Sequence, residues 1–238
     1  MKGFSQSLRD CRRAGLAPVI PDFKLASPEH GPLFSGRDPV AAARELAAAG
    51  APALSVVTEG QNFGGSPALL EQIAGAVDLP VLRKDFLTTP QEIRQTARLG
   101  GAAVLLICAC LEPGPLRALY DAALEAGLEP LVEAHSPQQL ALAAQLGAKL
   151  VGINNRDILT LERDGGGVET TQRLAAAKPA GALLVSESGL NGPGDVAAAL
   201  AAGADAALVG TAIWKAPHPA AFYRSLLAAG GCGDGHPV

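Results

Sequence analysis

Aromatic side chains are scarce in this sequence: six Phe, two Tyr and one Trp account for only 4% of its 238 residues. That scarcity speaks against an aromatic-rich sandwich and suits aliphatic packing layers. Charge is sparse as well, at 18% of residues against about 25% in an average globular domain. The formal net charge is −4 and no basic block occurs, which excludes an electrostatic footprint for nucleic acid. The four cysteines, Cys11, Cys108, Cys110 and Cys232, show no Cys-x-x-Cys spacing and no matching histidine cluster. They read as reduced thiols in or near a core, with no metal site. The N-terminus has no apolar signal core, and no apolar run approaches the ~18 residues of a membrane span. A soluble, cytoplasmic protein without disulfides is expected, with no membrane partner.

What the sequence does have is Ala, Leu and Val, within a hydrophobic fraction of 48%. These residues fall into a recurring unit of short apolar strand, polar loop and Ala/Leu-rich amphipathic helix. Strands are expected at Val19–Lys24, Ala53–Val57, Val81–Lys84, Ala103–Ile107, Glu129–Glu133, Leu150–Ile153, Leu183–Ser186 and Ala206–Val209. Helices are expected at about Pro39–Ala49, Pro67–Ala76, Pro90–Leu99, Pro113–Ala126, Pro137–Leu146, Val168–Ala177, Pro193–Ala202 and Pro219–Ala229. Proline suits a first helical turn, where its missing N–H costs nothing. Gly50, Gly100, Gly127, Gly147 and Gly203 close helices just before the next strand, where a left-handed residue is required.

Strands that are apolar throughout, rather than alternating, are buried on both faces and belong to a parallel sheet. Eight such units in a chain near ~250 residues favour closure into an α/β (β/α)8 TIM barrel. The rival, a doubly wound open sheet, wants a glycine-rich turn after its first strand, and Leu25-Ala26-Ser27-Pro28 stands there instead. A single barrel domain over residues 1–238 is expected, with a short N-terminal helix at about 4–14 and a frayed tail at about 230–238.

Barrel enzymes carry their sites at the carboxyl ends of the strands. Here those ends hold Asp22-Phe23-Lys24, Arg83-Lys84-Asp85, Glu133-Ala134-His135, Asn154-Asn155-Arg156-Asp157, Ser186-Glu187-Ser188-Gly189 and Gly210-Thr211. Two lysines and several carboxylates meeting at one mouth is an arrangement for general acid–base chemistry. Ser188-Gly189 and Gly210-Thr211 are small, precede helical segments, and follow the last two strands, the usual phosphate position of this fold. The simpler reading of those glycines is tight turns.

These motifs resemble the indole-3-glycerol phosphate synthase family. Asp22-Phe23-Lys24-Leu25-Ala26-Ser27-Pro28 is similar to its first-strand signature, and Leu54–Thr58 with Phe63-Gly64-Gly65-Ser66 to its second-strand segment. Pro80–Phe86, Leu131–His135, Gly152–Asp157, Ser186–Gly189 and Val209–Thr211 match the later ones in order. The resemblance runs from about Val19 to Thr211. It implies closure of the indole ring of 1-(2-carboxyphenylamino)-1-deoxyribulose 5-phosphate with loss of CO₂ and water, and no cofactor. It implies Lys84 as general acid and Glu133 as base. Lys24 would pair with the substrate carboxylate, Asn154 would orient Glu133, and Asp22 and Glu187 would complete the catalytic group. Arg156, Ser27, Phe63, Phe86 and Leu105 would contact substrate, with Arg156 near the anthranilate carboxylate. Ser188, Gly189, Gly210 and Thr211 would hold the phosphate. A monomer or weak homodimer is expected.

Several residues depart from the family's pattern. Asp22 replaces its Glu, Thr211 its commoner Ser, and Trp214 a smaller apolar residue; Trp214 reads as packing. The lead before the first strand is short, with room for one helix, where the family often has a further helix over the mouth. His30 reads as a solvated loop residue. Lys84 reads as a strand-end surface lysine, so Lys84→Ala is expected to stop turnover and spare the fold. The strand-one Cys of phosphoribosylanthranilate isomerase is absent, as is the Glu/Asp pattern of tryptophan synthase α. Two alternatives stand beside the main reading. One is a diverged barrel acting on a related amino-sugar phosphate. The other is a non-catalytic barrel binding a phosphorylated ligand.

Overall fold

Eight parallel strands close on themselves in the computed structural model, which describes residues 3–161 and 165–231. They are β1 (Val19–Phe23), β2 (Leu54–Val57), β3 (Val81–Lys84), β4 (Ala103–Ile107), β5 (Glu129–Ala134), β6 (Leu150–Asn154), β7 (Leu183–Glu187) and β8 (Ala206–Val209). Each pairs with its sequence neighbours, and the ring is completed by Val19, Ile20 and Pro21 of β1 against Ala207, Leu208 and Val209 of β8. The helices are α1 (Phe4–Arg13), α2 (Pro39–Ala48), α3 (Pro67–Ala74), α4 (Pro90–Arg98), α5 (Pro113–Glu125), α6 (Pro137–Leu146), α7 (Glu169–Leu174), α8 (Pro193–Ala201), α9 (Thr211–Lys215) and α10 (Pro219–Leu227). The chain is therefore a (β/α)8 barrel, as the strand–helix alternation implied.

Local chemistry explains the helix starts. Asp38, Ser66, Thr89 and Ser136 each cap a helix by accepting backbone N–H groups, and each is followed by proline at the first position. All five closing glycines take positive φ, between 74° and 104°. The helix expected at Val168–Ala177 is shorter: α7 stops at Leu174 and continues as a 3₁₀ turn over Ala175–Ala177. Pro179 accounts for this, because it drives Lys178 into extended backbone.

Two apolar layers result. Outside the strands, a large cluster packs them against the surrounding helices. Inside, Ile20, Ala53, Leu82, Leu105, Leu131, Leu150, Val185 and Leu208 fill the barrel, and Phe4 and Leu8 of α1 join them. Helix α1 plugs the amino-terminal end. The Ser5 N–H donates to Glu129 at the start of β5, and Arg12 donates to Ala204 and Asp205 just before β8. The one helix of the N-terminal lead thus lies opposite the mouth. At the other end of the chain, Ala228–Gly231 forms a 3₁₀ turn packed on Leu16 and Ala17. Cys232 and the rest of the expected tail lie outside the described residues. Among the described residues no helix is long and apolar enough to cross a membrane.

Candidate active site

Alternation along a strand sends every second residue into the barrel. At the carboxyl end this puts two chambers side by side. One is walled by Val57, Phe63, Phe86, Leu105, Ile107 and Ile158. The other is walled by His30, Arg156 and the segments Ser188–Asn191 and Leu208–Ala212. Asp22, Lys24 and Lys84 line both, so the two lysines stand where the chambers meet.

The polar groups beneath this junction are buried. Lys84 Nζ lies 3.8 Å from Glu187 Oε2, with side-chain exposures of 11% and 0%. Lys84 is therefore no surface lysine, and the reason for expecting its removal to spare the fold falls away: a buried charge that loses a counter-charge is costly. Asn154 donates from Nδ2 to Glu133 Oε2 at 3.2 Å. On the other side of that carboxylate, His135 Nε2 lies 3.7 Å from Oε1. Ser55 Oγ donates to Asp22 at 2.6 Å, and Lys24 Nζ sits 5.5 Å from the centroid of the Phe63 ring. Gly152 makes the cluster possible. A Cβ there would lie 1.8 Å from Glu187 Oε1, so any larger residue would have to turn that carboxylate aside.

Lys84 owes its direction to its neighbours. Arg83 points the opposite way, towards α4, and is 3% exposed. Its guanidinium donates to Thr58 Oγ1 at 2.9 Å, Asp85 at 3.2 Å and Thr96 Oγ1 at 3.3 Å, while Thr58 donates to the same Asp85 carboxylate. Buried Arg–carboxylate pairs are lost expensively when one partner goes. Arg83→Met is expected to cost about 3 kcal/mol of stability in chemical denaturation. A loss under about 0.5 kcal/mol would show the network to be an idle surface pair.

The loops after β7 and β8 are also tightly held. Ser188 and Gly189 take φ of 61° and 68°, an unfavourable value for serine. Asn155 secures the turn by donating to the Ser188 carbonyl at 2.9 Å and to Ser186 Oγ at 3.0 Å, while its own oxygen accepts from Thr171. Trp214, on α9 just after Thr211, donates from Nε1 to the Asp22 carbonyl at 2.6 Å and packs in tilted contact with Phe34 and Phe23. It is 2% exposed and lines neither chamber, which is a packing role.

Most of the expected site residues converge, with two revisions. Phe63, Phe86 and Leu105 wall the apolar chamber, and Ser188, Gly189, Gly210 and Thr211 the polar one. Glu133, Asn154 and Glu187 are buried below. Ser27 lines neither chamber: its hydroxyl accepts from the Glu29 and His30 N–H groups and shapes the turn. Arg156 stands in the polar chamber and pairs with Glu29 at 3.3 Å, away from the aromatic walls. His30 is an exposed loop residue, as expected, and edges the polar chamber.

Sequence reasoning matched Gly152 within a motif but gave it no role, although it is the lone glycine within any barrel strand, a usual mark of close approach. It also passed over Glu59, whose carboxylate accepts the N–H groups of Gln61, Asn62 and Phe63 and so fixes the Phe63 loop. Cys108 is buried, and that burial, reinforced by the Glu133 charge, pushes its thiol up to about 12. A thiol that stays protonated is a poor nucleophile. Cys108 is therefore expected to resist iodoacetamide at pH 8 in the native protein and to react on unfolding; rapid native labelling would contradict the geometry.

The indole-3-glycerol phosphate synthase family model matches residues 1–226. The chain is 43% identical over 219 residues to indole-3-glycerol phosphate synthase of Thermococcus kodakarensis, covering 92% of this chain and 96% of that protein. It is 41% identical over 230 residues to the Pyrococcus abyssi enzyme of the same name, covering 97% and 98%. It is 43% identical over 218 residues to that of Parafrankia sp., covering 92% and 80%.

Proposed function

The chain belongs to the indole-3-glycerol phosphate synthase family, and on that premise we propose how its two chambers divide one substrate between them. The reaction is the carboxy-lyase ring closure of 1-(2-carboxyphenylamino)-1-deoxyribulose 5-phosphate. It forms a carbon–carbon bond between the carboxyl-bearing ring carbon and the sugar carbonyl, then releases CO₂ and water. The anthranilate ring occupies the apolar chamber and the phosphate the polar one. The observation that carries this reading is the position of Lys24 and Lys84, which line both. They stand at the boundary, where the new bond must form.

Lys84 donates a proton to the carbonyl oxygen as the ring carbon attacks, and its charge stabilises the developing oxyanion. The ring nitrogen supplies the electron push, and departure of CO₂ restores aromaticity. Lys24 faces the substrate carboxylate during closure and then protonates the departing hydroxyl. Glu133, oriented by Asn154, takes the proton from the adjacent carbon to complete the indole. Asp22, fixed by Ser55, and Glu187, beside Lys84, place negative charge at the mouth that the two lysines share. Arg156 joins the backbone N–H groups at Ser188–Gly189 and Gly210–Thr211 around the phosphate, a role its place in the polar chamber supports better than a contact with the anthranilate carboxylate. Holding ring carbon and carbonyl in contact across the boundary supplies much of the rate. The thiols of Cys11, Cys108 and Cys110 are free, in keeping with a cytoplasmic enzyme.

Turnover is followed by the fluorescence of the indole product. Thr211→Val is expected to raise KM about tenfold with kcat within about twofold, the loss of one hydrogen bond to a charged group. A fall in kcat at unchanged KM would place the phosphate elsewhere.

A further inference from the structure

The ends of β8 and β1 are joined through one side chain. Trp214 is the sole tryptophan of the sequence. Its backbone belongs to the β8 side: the Ile213 and Trp214 N–H groups both donate to the Gly210 carbonyl, at 2.9 and 3.3 Å. Its indole belongs to the β1 side. Nε1 donates to the Asp22 carbonyl at 2.6 Å, in a buried hydrogen bond. The same carbonyl accepts the Lys24 N–H at 3.1 Å, and a carbonyl oxygen has lone pairs for both donors. That second bond closes the turn from which the Lys24 side chain departs. Further contacts seat the indole. Phe34 and Phe23 lie 4.4 and 4.8 Å from it, centroid to centroid. Arg37, on the loop after β1, donates to the Trp214 carbonyl at 2.9 Å. A Cβ on Gly210 would lie 3.2 Å from Asp22 Cβ and 3.4 Å from the Asp22 carbonyl oxygen, so the two strand ends also meet directly. Packing accounts for the ring and leaves the N–H to be explained. A buried indole N–H takes a partner, and here it takes the carbonyl on which Lys24 turns.

We propose that Trp214 is a positioning residue that ties the phosphate loop after β8 to Lys24. Phosphate held at Gly210–Thr211 fixes the start of α9, α9 fixes the indole, and the indole fixes the Asp22–Lys24 turn. Binding energy from the non-reacting end of a substrate is commonly spent on orienting groups at the reacting end. Here it steadies the ammonium that faces the carboxylate during closure and then protonates the departing hydroxyl. Trp214 itself touches no reacting atom and changes no bond. It acts through placement alone, and a displacement of about 1 Å near reacting atoms costs up to about a hundredfold in rate.

The inference rests on Lys24 and the phosphate loop having the roles given above, and the experiment separates the two. The substrate is supplied in two pieces to the intact enzyme. One is its 5-deoxy analogue, which lacks the phosphate and cannot close a furanose ring; the other is phosphite dianion. In the parent, phosphite is expected to raise kcat/KM for the truncated piece about tenfold or more. Trp214→Phe keeps an aromatic ring and loses the N–H, and its activation by phosphite should shrink to about twofold. On whole substrate the same variant should lose about fivefold in kcat, with KM within about twofold. Activation is a ratio within one preparation, so a smaller folded fraction leaves it unchanged, and a merely structural tryptophan leaves it at the parental value. Arg37→Met, which frees the Trp214 carbonyl and keeps the indole, serves where the phenylalanine variant does not fold, and should cut the activation about threefold. Parental activation in these variants would overturn the tie. So would undiminished activation in Lys24→Ala, since the tie would then end elsewhere. Phosphite that competes with whole substrate without activating the truncated piece would overturn the tie and leave the phosphate site in place. Phosphite that neither competes nor activates would remove the phosphate site itself.

Discussion

Lys84→Ala is expected to lower kcat about a thousandfold, within the range that a positioned general acid contributes. Stability should fall as well, because the substitution takes a counter-charge away from Glu187, which is fully buried. A loss of about 3 kcal/mol, or roughly 10 °C in Tm for a chain of this size, follows from breaking such a pair. Loss of activity alone would then be ambiguous. Combining Lys84→Ala with Glu187→Gln resolves it, since the neutral amide no longer needs a cation. The double variant should regain much of the lost Tm while kcat stays about a thousandfold down. Recovery of both together would reduce Lys84 to a structural lysine, and kcat near the parent's in either variant would remove it as the acid.

Gly152→Ala is the second large effect. The added methyl would lie 1.8 Å from Glu187 Oε1 and 3.6 Å from Leu131 Cδ1. Backbone strain is not the issue; space is. Glu187 has to turn aside, and Lys84 loses the carboxylate 3.8 Å from its ammonium. Overpacking of this kind costs about 1–3 kcal/mol. Because the displaced group adjoins the acid, kcat is expected to fall about a hundredfold, as 1 Å misplacements near reacting groups do. A second substitution, Glu187→Ser, should relieve the clash and restore stability without restoring full rate. Alanine tolerated at parental kcat would show that Glu187 has no bearing on Lys84.

The barrel was legible because each unit repeats the same local chemistry. Proline opens helices, glycine closes them, and uniformly apolar segments such as Val104–Leu106 have no polar face to show to water. Strand ends were readable to within about one residue, and most of the polar residues on them converge on the mouth. Direction was less accessible. Arg83 and Lys84 are adjacent cations, yet one lies against α4 and the other faces the junction of the chambers. Only closure of the ring decides which parity points inward. Closure also decides depth: a lysine ending a strand is ordinarily solvated, and here the side chains around the mouth bury it. The division into an apolar and a polar chamber came from residues far apart in sequence, such as Phe63 and Gly210, and placed Arg156 with the loops after β7 and β8. Ser27 matched a motif whose serine turned out to shape a turn. The N-terminal helix carried no signal of which end of the barrel it would close; Phe4 and Leu8 find their apolar partners at the foot of the barrel interior.

The central claim is that one substrate spans both chambers with its reacting carbons between Lys24 and Lys84. A crystal structure with the reduced substrate, whose sugar carbonyl has become a hydroxyl and cannot cyclise, tests this directly. The account predicts phosphate between Ser188–Gly189 and Gly210–Thr211, the aromatic ring against Phe63, Phe86 and Leu105, and the hydroxyl within hydrogen-bond reach of Lys84. A ring lodged among the β7 and β8 loops, or a hydroxyl distant from both lysines, would contradict it.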